Sequence, residues 1–141
     1  MAELAAEFGS QAVVLAIDAK QDGEGWRVFV RGGHEAVAMD AIVWACQGVE
    51  RGAGEILITS IDRDGTRSGY DCKLTAVVAS AVRVPVIASG GADSPGHFLE
   101  VFTSGQADAA LAASIFHQDA QSISGLKKFL HERGVTVRLS P

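Results

Sequence analysis

Small and acidic residues follow four apolar segments of the chain, and their types could bind an anion or transfer a proton. The four segments are AVVLAI, EILIT, VPVIA and DAALA. Apolar runs of this length are typical of buried strands. The residues that follow or end them are, in chain order, Asp18, Thr59, Asp64, Gly65, Ser89, Gly90, Gly91, Ala113 and Ser114.

The segment Ser89, Gly90 and Gly91 favours a phosphate site, because glycine lets an anion approach the backbone amides closely. Ala113 and Ser114 after the next strand would add a hydroxyl group and two further amides. The same Ser-Gly-Gly segment is equally compatible with a tight turn between a strand and a helix. The residues alone therefore leave both interpretations open.

Asp18 is a candidate general acid or base. A carboxylate at the end of a buried strand loses hydration unless a cation pairs with it, and enzymes use such carboxyl groups for proton transfer. Lys20 lies two residues further on and would point to the same side of a strand. A structural salt bridge between Asp18 and Lys20 is therefore the alternative.

The order of apolar segments predicts an α/β fold with four parallel strands. The strands are expected near residues 12–17, 55–59, 84–88 and 108–112, and each is followed by an amphipathic helical pattern. Continuous apolar strands are typical of parallel sheets. Residues 20–33, with glycine at both ends of the alternation Trp26, Val28 and Val30, predict a small hairpin on a loop. In parallel α/β folds, ligands bind at the carboxyl ends of the strands.

The composition is that of one globular domain over residues 1–141. Apolar residues make up 48% and charged residues 21% of the chain. The net charge of −5 argues against a nucleic-acid partner. The two cysteines and four histidines show no metal-binding spacing, which favours reduced cysteines in a cytoplasmic protein. No apolar run reaches the roughly 20 residues of a membrane span.

Five segments together resemble the cyclase subunit of imidazole glycerol phosphate synthase, a TIM-barrel enzyme of histidine biosynthesis. They are VVLAIDAK, RGAGEILITSIDRDGTRSGYD, VPVIASGGA, ADAALAASIFH and ERGVTVRL. The resemblance covers nearly the whole chain but only the carboxyl-terminal half of that family. It implies a (βα)4 half of a (βα)8 barrel, which would self-associate into an eight-stranded barrel as a homodimer. The phosphoribosyl isomerase of the same pathway shares the DGT-x-SG loop but is less similar elsewhere.

The resemblance also implies roles for the strand-end residues. Asp18 matches a catalytic general acid or base, and Thr59, Asp64 and Gly65 match the lining of the substrate site. Ser89, Gly90, Gly91, Ala113 and Ser114 match the phosphate-binding ends of the last two strands. Residues 67–69 would form a lid, and Glu55 would belong to a charged ring where ammonia enters.

The same resemblance implies substrate and partners. The substrate is a bis-phosphorylated ribulosyl aminoimidazole carboxamide nucleotide, ammonia comes from a glutaminase subunit, and no metal or redox cofactor is needed. An isolated half would have little activity. A non-catalytic half-barrel that self-associates and binds phosphate is the alternative function, and an isomerase-like half acting on the related aminoaldose is a third.

Six positions depart from the family pattern. Val37 and Ala38 stand where Thr and Gly are usual, and Asp93 replaces Gly after the phosphate turn. Gln118 and Asp119 replace an aromatic residue and Gly, and Gln106 stands in a turn that is normally Gly-Ala. Asp93 would repel a bound phosphate unless its side chain turned to solvent.

Overall fold

The computed structural model describes residues 1–117 and 122–139, and its centre is one six-stranded sheet. The strands, in chain order, are β1 (Val14–Asp22), β2 (Gly25–Val30), β3 (Glu35–Asp40), β4 (Glu55–Ser60), β5 (Val86–Ser89) and β6 (Ala109–Leu111). Their order across the sheet is β3-β2-β1-β4-β5-β6. β1, β4, β5 and β6 pair in parallel, which confirms the predicted α/β class with four parallel strands.

The predicted hairpin is present, but it belongs to the sheet. β2 pairs antiparallel with residues 18–22 of β1, and β3 pairs antiparallel with β2. β1 therefore runs to Asp22 instead of ending near residue 17. Its last three residues are exposed and polar, so backbone hydrogen bonds extend the strand without an apolar pattern. At its other end, Ser10–Ala12 forms a 3-10 helix, and β1 begins at Val14.

Helices precede, connect and follow the parallel strands. They are α1 (Ala2–Phe8), α2 (Ala41–Glu50), α3 (Cys72–Ala81), α4 (Pro95–Thr103), α5 (Ser114–His117) and α6 (Ile123–His131). α2 begins at Ala41, because the Asp40 carboxylate caps it by accepting from the amides of Ile42 and Val43. α5 was not predicted, since four residues are too few to show helical periodicity. None of the helices in the described part of the chain is long and apolar enough to cross a membrane.

The helices cover one face of the parallel strands. Ile17, Ile56, Ile58 and Val86 alternate along the strands and are buried with helical residues such as Leu74 of α3. A second cluster, centred on Phe98 of α4, packs against α6 and the β6 region. Because side chains alternate along a strand, the residues between the buried ones point to the other face.

That other face is open. Val14 and Leu111 lie on it and are 50% and 46% exposed. Residues 14–17 of β1 pair with β4 on one side and with no strand of the described residues on the other. On this side of β1, residues 14–17 are therefore unpaired among the described residues, whereas residues 18–22 pair with the hairpin.

Candidate functional site

Three polar side chains form a row across the open face at the carboxyl ends of the strands. Asp18 lies opposite Thr59, and Thr59 lies opposite Ser89. Leu111 of β6 completes the row beside Ser89. Residues in register on parallel strands point to the same face, so the sheet itself places the two hydroxyls and the carboxylate side by side. Asp18, Thr59 and Ser89 are each half-buried.

The loop of residues 61–71 folds back against the turn after β5. It starts with a tight turn in which the amide of Asp64 donates to the carbonyl of Ser60 over 2.9 Å. Further on, the hydroxyls of Thr66 and Ser68 are 2.7 Å apart, and Arg63 donates to Ser68 over 3.1 Å. The loop contacts the turn after β5 at Gly69, whose amide donates to the carbonyl of Gly91.

Gly90 and Gly91 are required where they stand. Both have positive φ angles, 98° and 97°. A Cβ atom at Gly90 would lie 2.9 Å from the carbonyl oxygen of Ser60, and one at Gly91 would clash with the carbonyl of Gly69. The two glycines therefore bring bare backbone to the site and also let the two loops touch.

Seven of the nine predicted site residues line one cavity of about 200 Å³, which we call the glycine cavity. They are Asp64, Gly65, Ser89, Gly90, Gly91, Ala113 and Ser114. Arg67 lines it as well, although the sequence suggested only a lid for that residue. The buried Gly90 and Gly91 form part of its wall, and Arg67 supplies a positive charge.

A second cavity of about 380 Å³, the Asp18 cavity, lies beside it. Asp18, Thr59 and Asp64 line this cavity, and Gly33 and His34 contribute from the turn between β2 and β3. Asp64 lines both cavities, so they meet at this residue. His34 was not among the nine predicted site residues. It is exposed, and only the pairing of the hairpin with β1 places it at the rim of this cavity.

The alternative salt bridge between Asp18 and Lys20 does not form. Within the described residues, the ion pairs join Arg27 to Asp22, Arg31 to Glu35 and Arg67 to Asp93. Lys20 is exposed beyond the parallel part of β1. Asp18 therefore faces its cavity without a lysine partner from its own strand.

The departures from the family pattern have different surroundings. Asp93 is exposed, and its carboxylate lies 3.7 Å from Nε of Arg67. Val37 is part of β3 and packs partly buried against the core, whereas Ala38 is exposed. Residues 118 and 119 lie outside the described residues.

Buried groups behind the two cavities hold the loops in place. The buried Ser60 hydroxyl donates to the Asp71 carboxylate over 3.2 Å, and Asp71 also caps α3 by accepting from the amide of Leu74. The hydroxyl of Tyr70 donates to the carbonyl of Leu111 over 3.0 Å. Burial raises the pKa of Tyr70, so the phenol stays protonated.

The remaining reactive groups offer no metal or thiol site in the described part of the chain. Among the side chains that the structure describes, no three from His, Cys, Asp and Glu are grouped as metal ligands. Burial, with the nearby carboxylates of Glu100 and Asp71, raises the pKa of the Cys72 thiol. A raised pKa keeps the thiol protonated and poorly nucleophilic.

Curated relatives match this chain over most of its length. It is 61% identical to the imidazole glycerol phosphate synthase subunit HisF of Metallosphaera sedula over 132 residues, which are 94% of this chain and 53% of that protein. It is 58% identical to the same subunit of Pyrobaculum aerophilum and 54% identical to that of Solibacter usitatus. Those alignments cover 99% and 98% of this chain, and 54% and 55% of the two relatives.

The chain thus spans about half the length of the curated relatives it matches. This agrees with the expected half of a (βα)8 barrel and confirms the resemblance to the cyclase subunit. The model of the family described as "Histidine biosynthesis protein" matches residues 1–122. On this match, which covers most of the chain, the protein belongs to the histidine biosynthesis protein family.

Proposed function

We propose that this chain is a single half-barrel domain of the imidazole glycerol phosphate synthase cyclase, with one phosphate site and one catalytic carboxylate. The observation that carries the proposal is the meeting of the two cavities at Asp64. A phosphate in the glycine cavity would leave the rest of a substrate next to Asp18. The site therefore combines an anchor with a proton-transfer group.

The glycine cavity suits one phosphate of the bis-phosphorylated nucleotide. Backbone amides at Gly90, Gly91 and Ser114 would donate to its oxygens, together with the hydroxyls of Ser89 and Ser114. Arg67 would neutralise part of its charge. This set of groups needs no metal ion to hold the phosphate.

Asp18 would act as the general acid or base. Ammonia attacks the ribulosyl part of the nucleotide, and ring closure and cleavage then release imidazole glycerol phosphate and an aminoimidazole carboxamide ribotide. These steps add and remove protons at nitrogen and oxygen atoms. Asp18 can exchange those protons because it is half-buried beside Thr59 and close to the substrate cavity.

The reaction in the family uses two phosphate sites and two acids, and this chain carries one of each. We propose that a second copy supplies the other pair, by closing an eight-stranded barrel over the open sheet face. The unpaired part of β1 (residues 14–17) and the outer edge of β6 are free to pair between copies. Closure would bury the exposed Val14 and Leu111.

Light scattering during size-exclusion chromatography tests the oligomeric state. A mass twice that of the 14.7 kDa chain is expected at micromolar concentration. A stable monomer under these conditions would contradict the homodimer.

Turnover of the nucleotide with an ammonium salt tests the catalytic proposal. We expect weak turnover that Asp18→Asn abolishes. Glu24→Gln is the matched control, because it removes one exposed carboxylate from the turn between β1 and β2 and should leave the rate unchanged. If wild type and Asp18→Asn are equally inactive while inorganic phosphate still raises the thermal midpoint, the chain is a phosphate-binding module and the cyclase proposal fails.

A glutaminase subunit as ammonia source and a cytoplasmic location complete the proposal. Both cysteines are free thiols, which suits a reducing compartment. Glu55 lies on the open face at the amino end of β4, opposite Val14, where ammonia would enter. Glutamine-dependent turnover on adding a glutaminase subunit would test this part.

A further inference from the structure

The charged side chains in and beside the glycine cavity include Asp64, Arg67 and Asp93. Among its described lining residues, Arg67 carries the positive charge and Asp64 the negative charge. Asp93 does not line the cavity, but its Oδ1 atom lies 3.7 Å from Nε of Arg67. The cation that a phosphate would meet is therefore already next to a carboxylate.

The backbone holds this pair together. The amide of Gly69 donates to the carbonyl of Gly91 over 2.8 Å, which joins the loop that carries Arg67 to the loop that carries Asp93. The amide of Asp93 donates to Nδ1 of His97 over 3.1 Å, which fixes the turn before α4. These two bonds hold the loops that carry Arg67 and Asp93 next to each other.

The ion pair between Arg67 and Asp93 is close but weak. A charge-assisted hydrogen bond between a guanidinium and a carboxylate is about 2.7–2.9 Å long, and this contact is clearly longer. The two side chains are 50% and 43% exposed, so water screens their attraction. A phosphate dianion carries more charge than a carboxylate and can accept two parallel hydrogen bonds from one guanidinium.

We infer that Asp93 competes with phosphate for Arg67 and thereby sets the affinity and selectivity of the glycine cavity. Without phosphate, the carboxylate of Asp93 is the anion that lies next to Arg67. A dianionic phosphate monoester draws Arg67 away from Asp93, whereas a monoanion of similar size draws it less strongly. Asp93 is a specificity-determining residue in this scheme, and it acts through Arg67.

This inference rests on the proposed phosphate site, and a double-mutant cycle tests it. Binding of inorganic phosphate is measured by isothermal titration calorimetry at low ionic strength for wild type, Asp93→Asn, Arg67→Gln and the double variant. Asp93→Asn should tighten binding about two- to fivefold, because an exposed pair of this kind is worth up to about 1 kcal/mol. Arg67→Gln should weaken binding, and Arg67→Lys should restore part of it.

The decisive comparison is the effect of Asp93→Asn in the Arg67→Gln background. Competition for Arg67 predicts that the tightening is lost there. Simple repulsion between Asp93 and phosphate predicts an equal tightening in both backgrounds, and that result would overturn the inference while leaving the phosphate site standing. If neither wild type nor any variant binds phosphate, the proposed function fails first.

Two controls distinguish a specific effect on phosphate affinity from a general effect of charge or of stability. Glu35→Gln removes a carboxylate that is paired with Arg31 at 3.2 Å on the far edge of the sheet, and it should not change phosphate affinity. Thermal midpoints without phosphate should agree among the four proteins of the cycle, since the Arg67–Asp93 pair is exposed.

Discussion

Gly69 and Gly91 are joined by a backbone hydrogen bond of 2.8 Å, and this bond connects the loops after β4 and β5. Both glycines have positive φ angles, 93° and 97°. Two loops whose contacting glycines lie 22 positions apart in the sequence (91 − 69) thereby form one continuous wall of the glycine cavity. The stability of this contact should decide whether the cavity keeps its shape.

Gly91→Ala should damage both the stability and the site. Alanine at a positive φ angle costs about 1–2 kcal/mol, and the clash with the carbonyl of Gly69 should add about 1–3 kcal/mol. Gly134→Ala is the matched control, because Gly134 also has a positive φ angle (82°) but has nothing within 4 Å of the added Cβ. Urea denaturation and phosphate calorimetry would check this, and equal losses in the two variants would contradict it.

Asp71→Ala should destabilise the protein by about 1–3 kcal/mol, because it removes the cap of α3 and leaves the buried Ser60 hydroxyl without its acceptor. Asp40→Ala removes the cap of α2 without exposing a buried partner, so it should cost less, about 1 kcal/mol. Chemical denaturation of both variants measures the difference. A larger loss in Asp40→Ala would argue against a structural role for the Ser60–Asp71 bond.

Tyr70 should make the folded protein sensitive to alkaline pH. Burial raises its pKa in the folded state, so the unfolded chain releases the phenolic proton first. Stability from this group is complete below the unfolded pKa of about 10 and falls as the pH rises above it, by up to about 1.4 kcal/mol per pH unit. Tyr70→Phe should show a flatter pH dependence in this range.

The Tyr70→Phe variant also separates ionisation from hydrogen bonding. At neutral pH it should lose about 0.5–1.5 kcal/mol, because the carbonyl of Leu111 loses its donor. Tyr70 is the only tyrosine in the chain, so the ultraviolet absorbance of tyrosinate reports its titration directly. Titration near the ordinary pKa in the folded protein would refute the proposed burial effect.

Val14→Lys should abolish self-association if the open sheet face forms the dimer interface. Val14 is 50% exposed in the single chain, and a lysine there would bury an unpaired charge in a closed barrel. Val43→Lys is the control, since Val43 is 48% exposed but lies on α2. Sedimentation or light scattering should show a monomer for Val14→Lys alone, and a dimer in both variants would exclude this interface.

The fold class could be predicted because its signal is local. Each parallel strand is an apolar run, and capping residues such as Asp71 mark the helix starts. The extension of β1 to Asp22 could not be predicted this way, since polar residues hold it through backbone pairing with β2. For the same reason, the sequence did not reveal His34 at the rim of the Asp18 cavity.

The sequence by itself determined that the residues at the ends of the parallel strands gather in one place. In a parallel sheet, the residues that follow the strands lie at the same edge. The order of strands and loops was therefore enough to predict that Asp18, Ser89 and Ser114 lie there. Only the tertiary structure decided how they are divided between two cavities, that Asp64 joins those cavities, and that Asp93 lies against Arg67. Such contacts depend on the paths of two loops in space, and no local pattern of residues specifies those paths.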